Sequence, residues 1–156
     1  HPRGVMSGQP IMIKAFQKFD QGCLFGWVHK DTGCRRFKKA FEMRARGNAK
    51  SVEMSGKANY FMAADCVYPP GHPEMRVYEL TREVDCVAVD RQQARRVWDD
   101  AVTMGKASQS IAARLKFLNN AVKHKTRGGE MRPFSKDTHN KNGANPTNKW
   151  TSRAGE

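Results

Sequence analysis

Apolar positions along this chain alternate in short runs as far as about residue 91 and then take up a helical period. Ile11 to Phe19 is apolar enough to pack as an extra strand. From Cys23 the run CLFGWVHK is rich in aromatic and β-branched residues, and Asp31-Thr32-Gly33 supplies a turn. In Phe37 to Arg46 the apolar Phe41, Met43 and Ala45 alternate with Glu42, Arg44 and Arg46, which predicts a strand with its apolar face in a core. SVEMS (51–55) and ANYFMAAD (58–65), separated by Gly56, predict two more strands. Tyr68-Pro69-Pro70-Gly71-His72-Pro73 must be a link, because its prolines cannot donate to a ladder. MRVYELT (75–81) and DCVAV (85–89) complete the set. Short strands at this spacing predict a mainly β fold, a six-stranded antiparallel β-sandwich or small barrel.

After Asp90 the period changes. Asp90 can cap a helix with Gln93 three residues on, and Val97, Trp98, Ala101 and Met104 form an apolar stripe. Ile111, Leu115, Leu118 and Val122 continue it as a second amphipathic segment that runs to about Lys125 and stops at Gly128-Gly129. The expected organisation is a flexible arm over 1–10, a β-sandwich domain over 11–91, a C-terminal amphipathic helical extension over 92–125 and a disordered basic tail over 126–156.

Composition changes this picture in two ways. All four cysteines (Cys23, Cys34, Cys66, Cys86) fall inside the alternating region, whose core is too small to be secure without staples. No pair forms C-x-x-C and the spacings match no common zinc module, so two disulfides are expected, with no metal and no cofactor. Three connectivities are open; an antiparallel pairing of the first and last strands would bring Cys86 to Cys34 and leave Cys23 for Cys66. The net charge of +13 divides as +2, +3 and +8 over 1–22, 23–91 and 92–156. That surplus favours acidic partners such as nucleic acid, anionic headgroups or an acidic protein surface, or else simply keeps the chain soluble. No apolar run approaches the roughly 20 residues that span a bilayer.

Two basic clusters stand out. Arg35 to Arg46 with Lys50 interleaves cations with Phe37 and Phe41, which could stack bases, although the alternation assigns those rings to the core. Arg114 to Lys136 is the second. Candidate acid–base residues are His29, His72, Glu79 and Glu83, in no spacing that brings a pair together. His1 could chelate copper only with a second histidine. No G-x-x-x-x-G-K, G-x-S-x-G or H-E-x-x-H is present, and Asn145-Pro146-Thr147 is disqualified as a glycan acceptor by its proline.

With Gly22-Cys23-Leu24-Phe25 opening the first strand, a hairpin following and Cys66 after the fourth strand, the chain resembles the MAX effectors, the rice-blast avirulence and ToxB-like secreted proteins of plant-pathogenic fungi. Cys34, Cys86 and the helical extension are additions to that pattern. The resemblance implies a secreted virulence protein, possible entry into host cells, a monomer without catalysis, and a host plant protein or immune receptor as partner. A first residue of His1 fits a removed signal peptide. Arg35, Arg36, Lys38 and Lys39 are then the expected partner-binding residues on an exposed edge, and Lys123, Lys125 and Arg127 those of the extension. A nucleic-acid binder working through its basic clusters and a secreted ribonuclease-like protein are the alternatives. Helix rather than strand over 35–46 would favour the ribonuclease-like one.

Overall fold

The structure is a computed structural model that describes residues 8–45, 47–88, 91–135 and 148–152. It divides into two units: Ala49–Asp65 with Leu80–Glu156 and the N-terminal His1–Gly8, and Gln9–Asn48 with Cys66–Glu79.

The first unit is mixed α/β. Its helices are α2 (Lys50–Ala63), α3 (Arg91–Ala107) and α4 (Gln109–Arg114), and its strands are β1 (Val84–Ala88), β2 (Leu115–Phe117), β3 (Val122–His124), β4 (Glu130–Ser135) and β5 (Asn148–Ser152). The sheet runs β2-β3-β4-β1-β5. The β2/β3 and β3/β4 pairs are antiparallel, whereas β1 lies parallel to both β4 and β5. Register and burial agree on one covered face. Leu115, Val122, Met131 and Val84 are at most 1% exposed and share it with Cys86, while Lys116, Lys123, Glu130 and Asp85 occupy the other. Helices α2 and α3 pack against each other and against this sheet.

Small residues set the helix pairing. Ser55, Ala58, Asn59 and Met62 line the buried side of α2, and Ala94, Trp98 and Ala101 that of α3. The Ser55 hydroxyl reaches the Val97 carbonyl at 2.8 Å, and one turn on the Asn59 amide donates to the Ala101 carbonyl at 2.8 Å. A side chain at Gly105 would collide with the Phe117 ring and crowd the Asn59 oxygen. A second close approach lies just ahead of β4, where Gly129 (φ +92) meets the Arg82 backbone and leaves no room for a Cβ.

The second unit is built round Arg44. Helix α1 (Ala15–Gly26) opens with the Lys14 N–H donating to the Gln17 side-chain oxygen at 2.9 Å, a reach-back from the N3 position. Asp20 of α1 lies 2.7 Å from the Arg44 guanidinium, Glu42 lies 3.3 Å from it, and Arg44 also covers the Phe16 ring. Beyond α1 the described residues of this unit form isolated bridges, Val28 with Arg35 and Val67 with Val77.

Several expectations are corrected. The fold is mixed α/β, with no six-stranded antiparallel sandwich. Ile11–Phe19 and the start of CLFGWVHK lie largely in α1, and SVEMS with ANYFMAAD belong to the single helix α2, which passes straight through Gly56. The alternation in 37–45 is inverted: Phe41 and Met43 are 82% and 83% exposed, while the Arg44 and Glu42 side chains are 8% and 11% exposed. That stretch is neither strand nor helix in the described residues. The segment 115–124 is a hairpin rather than a helix, and Glu130–Ser135 form β4. The arm's residues 1–7 and the tail's 136–147 and 153–156 lie outside the described residues.

The disulfides are also corrected. Cys23, Cys34, Cys66 and Cys86 are all free thiols. Cys86 sits on the covered face of β1, where burial and then the neighbouring Asp85 carboxylate push its thiol up to about 12. It packs as a small apolar residue.

Candidate functional site

Helix α2 begins without a cap. Ala49, at its N-cap, has φ 53 and ψ 26, a left-handed backbone, and no side chain that can accept from the first turn. The first N–H to find a helical acceptor is that of Glu53, 2.9 Å from the Ala49 carbonyl. Those of Lys50, Ser51 and Val52 come before any helical acceptor and have no partner among the described residues. They converge at the positive end of a 14-residue helix. A left-handed residue followed by right-handed helix also turns successive N–H groups into one concavity, a geometry that receives anions.

The side chains fit the same ligand. Lys50 supplies an ammonium and Ser51 an exposed hydroxyl, and neither is engaged by a described residue. Glu53, in the same turn, would repel an anion, but Lys57 stands 3.0 Å from it with both side chains buried, so its charge is matched. Arg46-Gly47-Asn48-Ala49-Lys50-Ser51 thus ends as a phosphate loop ends, with Lys-Ser opening a helix. It departs from G-x-x-x-x-G-K-S at both glycines, which fall on Arg44 and Ala49. Ala49 nevertheless holds the left-handed conformation that the second glycine serves, and Gly47 (φ +89) supplies a glycine two residues earlier. Replacing Ala49→Gly is expected to relieve that backbone and stabilise the chain by about 0.5–1 kcal/mol, read as a higher urea midpoint at unchanged m-value.

Sequence reasoning passed over this site because it required glycine before the lysine and read 51–55 as a strand. The available signal was Gly47-Asn48 just ahead of Lys-Ser, which marks a turn into a new element.

The residues singled out earlier lie elsewhere. Arg35 covers the Phe25 ring and Arg36 the rings of Trp27 and Phe37. Lys38 is exposed, and Lys39 lines a pocket of about 400 Å³ with Asp20, Cys23, Phe37 and Arg44. Lys123 projects from β3 on the open face of the sheet, opposite Lys116. Lys125 donates to the Ala112 carbonyl at 2.9 Å. Arg127 and Arg114 both donate to the Ala63 carbonyl, at 3.0 and 3.1 Å, and so hold the last carbonyl of α2. Arg127 also meets His124 at 2.7 Å, and burial followed by the Arg127 and Arg114 charges lowers the His124 pKa. His72 pairs with exposed Glu74, at 3.1 Å. No group of three or more metal-ligating side chains gathers among the described residues, and no described helix is long and apolar enough to cross a membrane. His1 lies outside the described residues.

A mixed sheet covered by helices, one of which opens without a side-chain cap on a lysine and a serine, makes this an α/β domain with a helix start suited to an anion. The model of the terminase large subunit ATPase domain matches residues 15–149, and the chain belongs to that family. The crystal structure of the large terminase of bacteriophage HK97 shares its fold, with a TM-score of 0.66 and 20% identity. The match covers 91% of this chain and 26% of that one, so the chain spans about a quarter of the length of that terminase. No curated protein matches.

The family overturns the resemblance to MAX effectors. The secreted virulence role, the location in or around host cells, and the host plant protein or immune receptor as partner are withdrawn with it. The expectation of a protein without catalysis is overturned as well, since the family is that of an ATPase domain. The nucleic-acid-binder and ribonuclease-like alternatives do not describe the family either. A cysteine pattern and a run of short apolar segments carried the resemblance, and neither reading survives: the thiols are free, and of those segments only DCVAV forms one of the strands, the others lying in α1, in α2 or in irregular backbone.

Proposed function

We propose that this chain is the nucleotide-binding part of a phage DNA-packaging ATPase and that it grips the phosphates of ATP at the start of α2. The uncapped turn behind left-handed Ala49 carries this reading. The N–H groups of Lys50, Ser51 and Val52 donate to phosphate oxygens, and the Lys50 ammonium neutralises the terminal phosphates. Magnesium, which such a nucleotide would bring, fits a site where the Ser51 hydroxyl, engaged by no described residue, would contribute one ligand, and the ion would offset phosphate charge. Hydrolysis and its coupling to DNA movement belong to the whole terminase, of which this chain is a part.

The test compares nucleotides of decreasing phosphate number on the chain itself. ATP with magnesium is expected to raise the melting temperature saturably, ADP less so and AMP not at all; a ligand at a hundred times its Kd stabilises by about 2.7 kcal/mol. Equal shifts from ATP and AMP, or none from either, would overturn the reading.

A further inference from the structure

Ser55 owns one hydroxyl proton and faces two acceptors. Its Oγ stands 2.8 Å from the Ser51 carbonyl in the first turn of α2 and 2.8 Å from the Val97 carbonyl in the middle of α3. The residue is fully buried, at 0% exposure, so water does not supply a second donor. A hydroxyl donates once, and at any instant one carbonyl goes without it. Resting on the phosphate-site reading above, we propose that Ser55 is a positioning residue whose shared proton couples nucleotide occupancy at the start of α2 to α3.

The path is short. The Ser51 carbonyl and the Val52 N–H belong to a single peptide group, and that N–H is one of the orphan donors of the first turn. When a phosphate accepts from it, the peptide polarises and the Ser51 oxygen becomes the stronger acceptor. The Ser55 hydroxyl rotates toward Ser51 and away from Val97. Helix α3 thereby loses a polar tie to α2, and α3 packs on β1, β4 and β2. Only a hydroxyl turns, so no backbone rearrangement is needed.

Asn59 provides the internal comparison. One turn along α2 its amide donates to the Ala101 carbonyl at 2.8 Å, the same kind of tie, but it has no acceptor in the phosphate-binding turn. It holds α3 without reporting on the ligand.

Amide hydrogen exchange of α3 distinguishes the two roles, measured on the full chain with and without a non-hydrolysable ATP analogue and magnesium, with calorimetric binding in parallel. In the unsubstituted chain the amides around Val97 to Ala101 are expected to exchange about two- to fivefold faster once the analogue is bound, the effect of releasing one neutral hydrogen bond. Ser55→Ala should bind the analogue yet show no such response. Asn59→Ala should exchange faster throughout but still respond. A response in Ser55→Ala equal to that of the unsubstituted chain, or binding with no change in α3, overturns the coupling and leaves the phosphate site standing. Failure of the unsubstituted chain to bind at all overturns both.

Discussion

Lys50→Ala should weaken ATP binding at least about 100-fold, or 2.7 kcal/mol, without unfolding the chain. The magnitude follows from what the ammonium does. Hydrogen bonds to charged groups contribute about 1.5–3 kcal/mol each, and Lys50 offers several donors together with a full charge facing the terminal phosphates. Nothing in the fold depends on it, because it is half-exposed and no described residue bonds it. Lysine for alanine at a helix start also costs little helix propensity. Isothermal titration with magnesium ATP reads the affinity, and circular dichroism checks that the helices persist. An affinity within threefold of the unsubstituted chain would remove Lys50 from the site. Lys50→Arg should recover only part of the loss, since a planar fork cannot stand in for a compact point charge.

Asp65→Ala should cost about 3–5 kcal/mol of stability, the range found when one partner of a buried ion pair is removed. Asp65 follows directly on the end of α2, its N–H held by the Tyr60 carbonyl, and its carboxylate pairs with Arg82 just ahead of β1. The two side chains are 2% and 7% exposed. The pair therefore joins the far end of α2 to the start of β1, the strand held between β4 and β5. Without the carboxylate, the Arg82 guanidinium stays in a place that water cannot fully reach, short of the charge that balances it. At an m-value near 2 kcal/mol/M the urea midpoint should fall by roughly 1.5–2.5 M. The double replacement Asp65→Leu with Arg82→Met should be less damaging than Asp65→Ala alone, because an apolar pair leaves no buried charge. Additive losses in the two single variants would show instead that the pair is not coupled.

The sequence was readable where apolar residues coincide with burial. DCVAV announced β1, and the periodic residues after Asp90 announced α3. It was misleading at α2, because the buried side of that helix carries Ser55 and Asn59, whose reward is a hydrogen bond to a carbonyl of α3 rather than removal of apolar surface. Hydropathy cannot register such a contact, and Gly56 then divided the helix into two apparent strands. The inversion over 37–45 has a related cause: Arg44 is buried because Asp20, Glu42 and the Phe16 ring receive it, and all but Glu42 lie more than twenty residues away in the chain. The proposed phosphate site was hidden because both glycines of the motif are replaced, the first by Arg44 and the second by Ala49, an alanine in a backbone conformation that a motif search reserves for glycine. The cysteines misled most, for an even count in a compact region says nothing about which compartment the chain inhabits.

The parallel placement of β1 between β4 and β5 also governs how the polypeptide comes into being. Both neighbours of this strand are encoded after residue 129, so a ribosome has released α2, β1 and α3 before either can dock. The backbone edges of Val84–Ala88 wait for both partners until residues near 152 have emerged from the exit tunnel, an interval in which an unpaired strand is open to chance encounters.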